Sequence, residues 1–216
     1  MKSDSEILRE AVRHALRLGA DVAGTIPAAM LKNCPSAEAD GNQGSVRDDG
    51  TYIILGLFHD PATPEMDHWE EGRGTPGDRQ LGAIGRSIAG WLNETHGITA
   101  ELIPYQLDDG GIYLKDAAVI AGIGIMGRNN LVLVPGFGPR IRFRAVWANI
   151  ESNPPAPVDL TNPCPECPGY CISTCPMGAF ETGTYSRQRC MQRMNADKKR
   201  AREIIDHCRA CELACP

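Results

Sequence analysis

Eight of the nine cysteines of this 216-residue chain fall in its last fifty-three residues, and that crowding constrains the fold more than any other feature. Cys164, Cys167, Cys171 and Cys175 are separated by two, three and three residues, and Pro176 follows. Cys208, Cys211 and Cys215 repeat the end of that pattern, with Pro216 closing it. The first run is the bacterial iron–sulfur spacing with one residue added before its third cysteine. In two-cluster ferredoxins the cysteine before proline ligates the other run's cluster, so each run depends on its partner. Applied here, Cys164, Cys167 and Cys171 with Cys215 hold one [4Fe–4S] cluster, and Cys190, Cys208 and Cys211 with Cys175 hold the second. The competing reading is two four-thiolate zinc sites. The Cys-Pro endings and the spacing of four between each final cysteine and its predecessor favour iron–sulfur. Cys190 lies outside both runs and is the ligand that spacing supports least.

The length suits one sizeable core and a small appended module. No apolar stretch approaches the roughly 20 residues of a membrane span, and the start carries no secretory signal pattern. The reading is a cytoplasmic protein without membrane attachment, where clustered thiols serve metals rather than disulfides. A net charge of −5 argues against a protein built mainly to coat nucleic acid. The charge is uneven, however: residues 185–205 carry +5 and the remainder −10. That basic segment reads either as a solvated helix face or as a docking face for an acidic redox partner or a polynucleotide.

Periodicity predicts a helix over residues 3–18 with a Ser3/Glu6 capping box, and a strand over 21–26. Mostly loop is expected over 27–50, where Cys34 stands alone. The apolar run Thr51–Phe58 reads as a central strand covered on both faces. Loop is expected again over 59–78; its His59, Asp67, His68, Glu70 and Glu71 have no spacing that fixes a metal site. A helix over 79–96, with Leu81, Ile84, Ile88, Trp91 and Leu92 inward, and a strand over 100–104 follow. A helix over 114–121 and a strand over 131–134 flank Gly122, Gly124 and Gly127. Those glycines match GxGxxG, but a dinucleotide site needs the strand first and the helix after, so that reading fails. In the strand after Gly136, Ile141, Phe143, Ala145 and Trp147 alternate with Arg140, Arg142 and Arg144, whose face needs solvent, an anionic ligand or the cluster module beside it. Prolines at 154, 155 and 157 mark a domain boundary, dividing the chain into an α/β domain over 1–152 and a double-cluster domain over 158–216.

The stretch LKDAAVIAGIGIMGRNNLVLVPGFGPR, the arginine-rich strand after it and the paired Cys-Pro runs with an isolated cysteine between them resemble epoxyqueuosine reductase and its relatives. The resemblance covers about residues 107–216 well and the N-terminal part more loosely. It implies an α/β domain, an α+β sandwich distantly like nitroreductase and cobalamin-processing folds, joined to a C-terminal ferredoxin-like double-cluster module. It implies an iron–sulfur oxidoreductase that passes electrons from an external flavodoxin- or ferredoxin-type donor through two [4Fe–4S] clusters to cobalamin. The corrinoid would lie against Gly122, Gly124, Gly127, Arg128, Asn129, Asn130, Arg140 and Arg142. The family's proton-donating aspartate, about fourteen residues before the first glycine, maps to Asp108, with Asp109 adjacent; read from residues alone, Asp108–Gly111 is a turn. Where the family commonly has Trp and Lys, this chain has Ile125 and Arg128. The family continues beyond the clusters into a helical-repeat region that grips tRNA; this chain ends at Pro216, which leaves tRNA open and admits a small molecule or modified nucleoside as substrate. Two further readings stand beside it: a ferredoxin-like carrier serving a separate corrinoid enzyme, and a nucleic-acid or protein binding module with structural clusters.

Overall fold

The computed structural model describes residues 2–45 and 47–216. Helix α1 (Asp4–Arg17) opens on the predicted capping box: Ser3 N–H donates to Glu6 Oε2 at 2.8 Å and Ser3 Oγ donates to the same oxygen at 2.9 Å. Its buried face is Ile7, Leu8, Ala11 and Ala15. Strand β1 (Val22–Pro27) follows. The stretch to Gly50 is not all loop, for it holds a 3-10 turn (Ala28–Leu31) and helix α2 (Pro35–Asp40). The prolines and glycines that suggested loop are helix punctuation instead: Pro35 starts α2 and Gly41, at φ 68°, ends it. Cys34 sits at the N-cap of α2 with 2% of its surface exposed, a packing residue.

Strand β2 (Thr51–Phe58) is buried at every position but its last, as a two-faced strand must be. After it come a 3-10 turn (Pro64–Asp67) and the short strand β3 (Trp69–Glu70), where loop was expected. Helix α3 (Pro76–His96) buries Leu81, Ile84, Ile88 and Leu92; Trp91 is only half-buried, held edge-on between His14 and His96. Then come β4 (Ala100–Leu102), a 3-10 turn (Leu107–Asp109) and α4 (Leu114–Ile120). Strands β5 (Ile125–Met126) and β6 (Val132–Leu133) form an antiparallel ribbon, of which only the second strand was legible. Helix before strand is the order found around the glycines, as predicted. Strand β7 (Ile141–Ala148) is buried on both faces, so its arginine side does not face open solvent throughout. The cysteine region supplies α5 (Tyr170–Ser173), α6 (Arg187–Arg200), β8 (Ile204–Ile205) and α7 (Ala210–Leu213).

The main sheet has the order β1-β2-β7-β4, with β2 and β7 central and both edge pairs antiparallel. Val22 pairs with Gly56 and Ala100 with Ala148. Gly85 lets α3 lie close on the sheet, since a Cβ there would come within 2.5 Å of Leu102 Cδ1 and 3.4 Å of Val146 Cγ2. The molecule is thus a mixed α and β fold. Its two compact units do not divide the chain once: residues 1–57, 80–124 and 142–159 make the first, and residues 58–79, 125–141 and 160–216 the second. The sheet core belongs to the first unit. Within the second, β3 pairs with β8 and β5 with β6.

Candidate functional site

Each cysteine run folds as a tight turn leading into one helical turn. Cys164 N–H donates to Asn162 Oδ1 at 2.9 Å, and Cys167 N–H to Cys164 O at 3.3 Å. The residue added before the third cysteine is absorbed by Gly169, which takes φ 84° and caps α5. Its N–H points back at Cys167 Sγ, 3.5 Å away. Cys171 is then buried in α5. Cys175 Sγ accepts from Ala179 N–H at 3.4 Å, beyond Gly178 at φ 58°. In the second run Cys211 lies in α7, which packs against α5. That packing is what mixes the two runs.

Cys164, Cys167, Cys171 and Cys215 line one cavity, together with Arg128 and Asn129. Burial, then the neighbouring Cys164 and Cys167, raises the Cys171 thiol pKa. Cys215 is raised by burial and by Cys171, Cys164 and Cys167, against a smaller opposing pull from Arg140. The other four behave as a separate group: burial first, then Cys190, Cys175 and Cys208, push Cys211 up to about 12. Cys190, the ligand least secured by spacing, therefore falls in the second group. Thiols packed this way repel one another as thiolates, so full deprotonation requires added positive charge, as a metal supplies. Among the described residues no three Cys, His, Asp or Glu side chains converge as the ligands of a single ion do.

The residues around the groups explain their placement. Arg128 N–H reaches Cys164 Sγ at 3.5 Å. Asn129, 4% exposed, donates from Nδ2 to Cys211 O at 3.4 Å, and Arg140 donates to Cys215 O at 2.5 Å. Gly127 has no room for a Cβ, which would meet Asn129 Oδ1 at 2.8 Å and Leu133 Cγ at 2.9 Å. Asn130 takes the left-handed φ of 56°. Gly127, Arg128, Asn129 and Arg140, singled out for a corrinoid, are thus gathered beside the cysteines. Gly122, Gly124 and Arg142 belong to the other unit; a Cβ on Gly122 would come within 2.8 Å of Val158 Cγ2. In that unit Arg144 is 9% exposed, donates to Ile103 O at 3.3 Å and lies over the Tyr105 ring. Asp108 and Asp109 are exposed on their 3-10 turn, which ends at Gly110 with φ 93°.

Three supports escaped sequence reading. Asp197, buried in α6, accepts from Cys208 N–H at 3.0 Å and from Arg193 Nε at 2.8 Å. In the sequence it is one acid in a basic run; only its i,i+4 spacing from Arg193 hints at the pair. Tyr185 hydrogen-bonds Cys190, and burial followed by that contact holds its hydroxyl protonated far above the usual phenol range. A chain of largely enclosed polar side chains links His59 Nδ1 to Asp67 at 2.8 Å, Asp67 to Arg209 at 2.6 Å, and Arg209 to Glu212 at 2.8 Å. The other two acids considered as metal ligands in 59–78 are also spent on ion pairs: Glu70 holds Arg73 and Arg79, and Glu71 holds Lys198.

No family profile matches the chain. A curated epoxyqueuosine reductase from Listeria monocytogenes is 29% identical over 115 residues, which is 48% of this chain and 29% of that protein. A crystal structure of epoxyqueuosine reductase with an epoxyqueuosine-modified tRNA-Tyr stem loop superposes with a TM-score of 0.71 at 18% identity, covering 99% of this chain and 66% of that one. A reductive dehalogenase described with B12-dependent dehalogenation matches at TM-score 0.55 and 18% identity, over 77% of this chain and 24% of that one. In sequence over about half its length, and in fold over nearly all of it, the chain is similar to epoxyqueuosine reductases, of which it spans only part.

Proposed function

We propose that the protein is an iron–sulfur oxidoreductase of the epoxyqueuosine reductase type, with two [4Fe–4S] clusters in a ferredoxin-like module and a nitroreductase-like α+β core. The observation that carries this reading is the partition of eight cysteines into two groups of four that cross between the runs. The donor set fits: all-thiolate quartets, backbone N–H groups aimed at Cys164, Cys167 and Cys175 sulfurs, and thiols that need a cation to ionise together. The cavity lined by Cys164, Cys167, Cys171 and Cys215 has the all-thiolate lining that a polynuclear cluster takes. When bound, the clusters supply one-electron chemistry. The chain's own residues hold them, screen them from water by burying Cys171, and tune them through N–H donors and the Tyr185 hydroxyl.

For a corrinoid the fit is poorer. Gly122 faces Val158, Arg144 is engaged within its own unit, and Asn129 and Arg140 hold the second cysteine run. A corrinoid therefore enters this reading as the expected electron acceptor, and no step is routed through it. The same holds for an epoxide-bearing modified nucleoside, free or in tRNA, as substrate. Asp108 and Asp109 lie exposed on their turn, and a proton-donor role for either rests on a ligand or partner that covers them. Their exposure also favours a second reading, a carrier protein that hands electrons to a separate enzyme.

Anaerobic reconstitution with iron and sulfide tests the central claim. Iron and sulfide should bind in equal amounts, broad charge-transfer absorbance should appear, and reduction should give paramagnetic signals of two interacting centres. Stoichiometric zinc with no sulfide uptake would overturn it. Adding cobalamin to the reduced protein then separates the two readings: a change in the cobalt signal supports the oxidoreductase, and none supports the carrier.

A further inference from the structure

The second unit carries an open concavity that the proposed chemistry does not use. Pro61, Pro64, Ala210 and Leu213 give it apolar walls, and Cys208 of the second cysteine group lies in its lining, alongside Arg193 and His207. Leu213 is 50% exposed. Arg193 belongs to a stripe along α6 at helical spacing, with Asp197 four residues on and Arg200 seven. Lys199, Arg200 and Arg202 are exposed and make no ion pair among the described residues, whereas the half-buried Arg209 is spent on Asp67 and Glu212. Asp206, also in the lining, and Glu203 are the acids nearby in sequence; residues 185–205 still carry +5 in a chain of −5.

We propose that this concavity and the C-terminal end of α6 form the docking site of a small acidic protein that carries one electron at a time. Resting on the reading that Cys175, Cys190, Cys208 and Cys211 hold a cluster, the site makes that group the point of electron uptake. The reduced carrier is oxidised by one electron, the group at Cys208 is reduced by one, and no atom or proton is transferred. Three features select this occupant. The unpaired cations complement an acidic surface and speed encounter. The apolar walls beside them give the mixed character of a transient protein interface. Among the described residues no Phe, Trp or Tyr lines the concavity, so it lacks the large aromatic faces on which the bases of single-stranded nucleic acid stack.

The test titrates the reconstituted protein with an oxidised acidic [2Fe–2S] ferredoxin in a calorimeter at low and high salt, and measures stopped-flow reduction by the same ferredoxin in its reduced form. Lys199→Glu/Arg200→Glu should weaken binding about ten-fold at low salt and flatten its salt dependence. Arg9→Glu/Arg17→Glu, the same change of charge on α1, should stay within about two-fold. Equal losses in both variants would reduce the effect to net charge and overturn the site. So would unchanged ferredoxin binding in the first variant, or loss there of binding to a tRNA stem loop alone. Iron content is measured on every sample: if wild type takes up no cluster the reading of the cysteines fails, whereas a fully loaded protein that does not bind ferredoxin defeats only the docking site.

Discussion

Cys175 and Cys215 occupy equivalent places in their runs and serve opposite groups, which gives a residue-scale prediction that run-by-run ligation would not. Cys215→Ala should halve the iron bound and remove the centre built on Cys164, Cys167 and Cys171; Cys175→Ala should remove the other, and paramagnetic resonance of the reduced variants distinguishes them. Tyr185→Phe deletes the hydroxyl donor to Cys190, and the midpoint potential of the second centre should move downward in a redox titration, because donors to sulfur stabilise the more negative, reduced state. The metal-free chain should show a pH dependence of its own. Cys211 is raised from the ordinary thiol value of 9.0 to about 12, so folding favours its neutral form. That stabilisation is complete below about pH 9 and is lost as pH climbs toward 12, so the Tm of the metal-free protein should fall across that window. The cysteines themselves were legible because their spacing is a covalent fact of the chain. Asp197 and Tyr185 were not, since a single acid or phenol acquires its role only when the fold brings a sulfur or a backbone N–H to it.

At the scale of elements, the long periodic segments were readable: α1 with its cap, the apolar strand β2, and the body of α3 follow from side-chain patterns that local structure alone satisfies. The ribbon β5–β6 and helix α2 were obscured by glycine and proline, which terminate elements as readily as they mark loops. Gly169 shows how little local sequence can hold. One inserted residue before Cys171 is accommodated by a single left-handed φ, and Gly169→Ala should cost about 1–2 kcal/mol there. The expected result is a lower Tm together with loss of the first centre before the second on mild oxidation, followed by absorbance. Asp197→Ala should destabilise the link between α6 and the second run by about 1–3 kcal/mol, measured by denaturant unfolding of the metal-free protein.

For the whole molecule, the proline-rich stretch at 153–157 lies beside only the last of several crossings between the two compact units. No sequence rule announces that residues 58–79 and 125–141 pack with the cysteine region, because each segment returns to it through tertiary contacts distant in sequence. A fragment of residues 158–216 would lack Arg128, Asn129 and Arg140, which touch the cysteine runs, and Asp67, which anchors Arg209. Such a fragment should bind less iron than the full chain and should retain it more briefly against a chelator. The crossing of the runs has one more consequence, for the order of loading. Completing the first quartet closes the chain between Cys171 and Cys215, and completing the second closes it from Cys175 through Cys190 to Cys208 inside that loop, an entropic cost that grows only slowly with length and that the second quartet to form then shares. Iron uptake by the unaltered chain should therefore be cooperative: native mass spectrometry during titration should count fewer half-loaded molecules than independent filling of two sites would give, while a variant that lacks one quartet still loads the other.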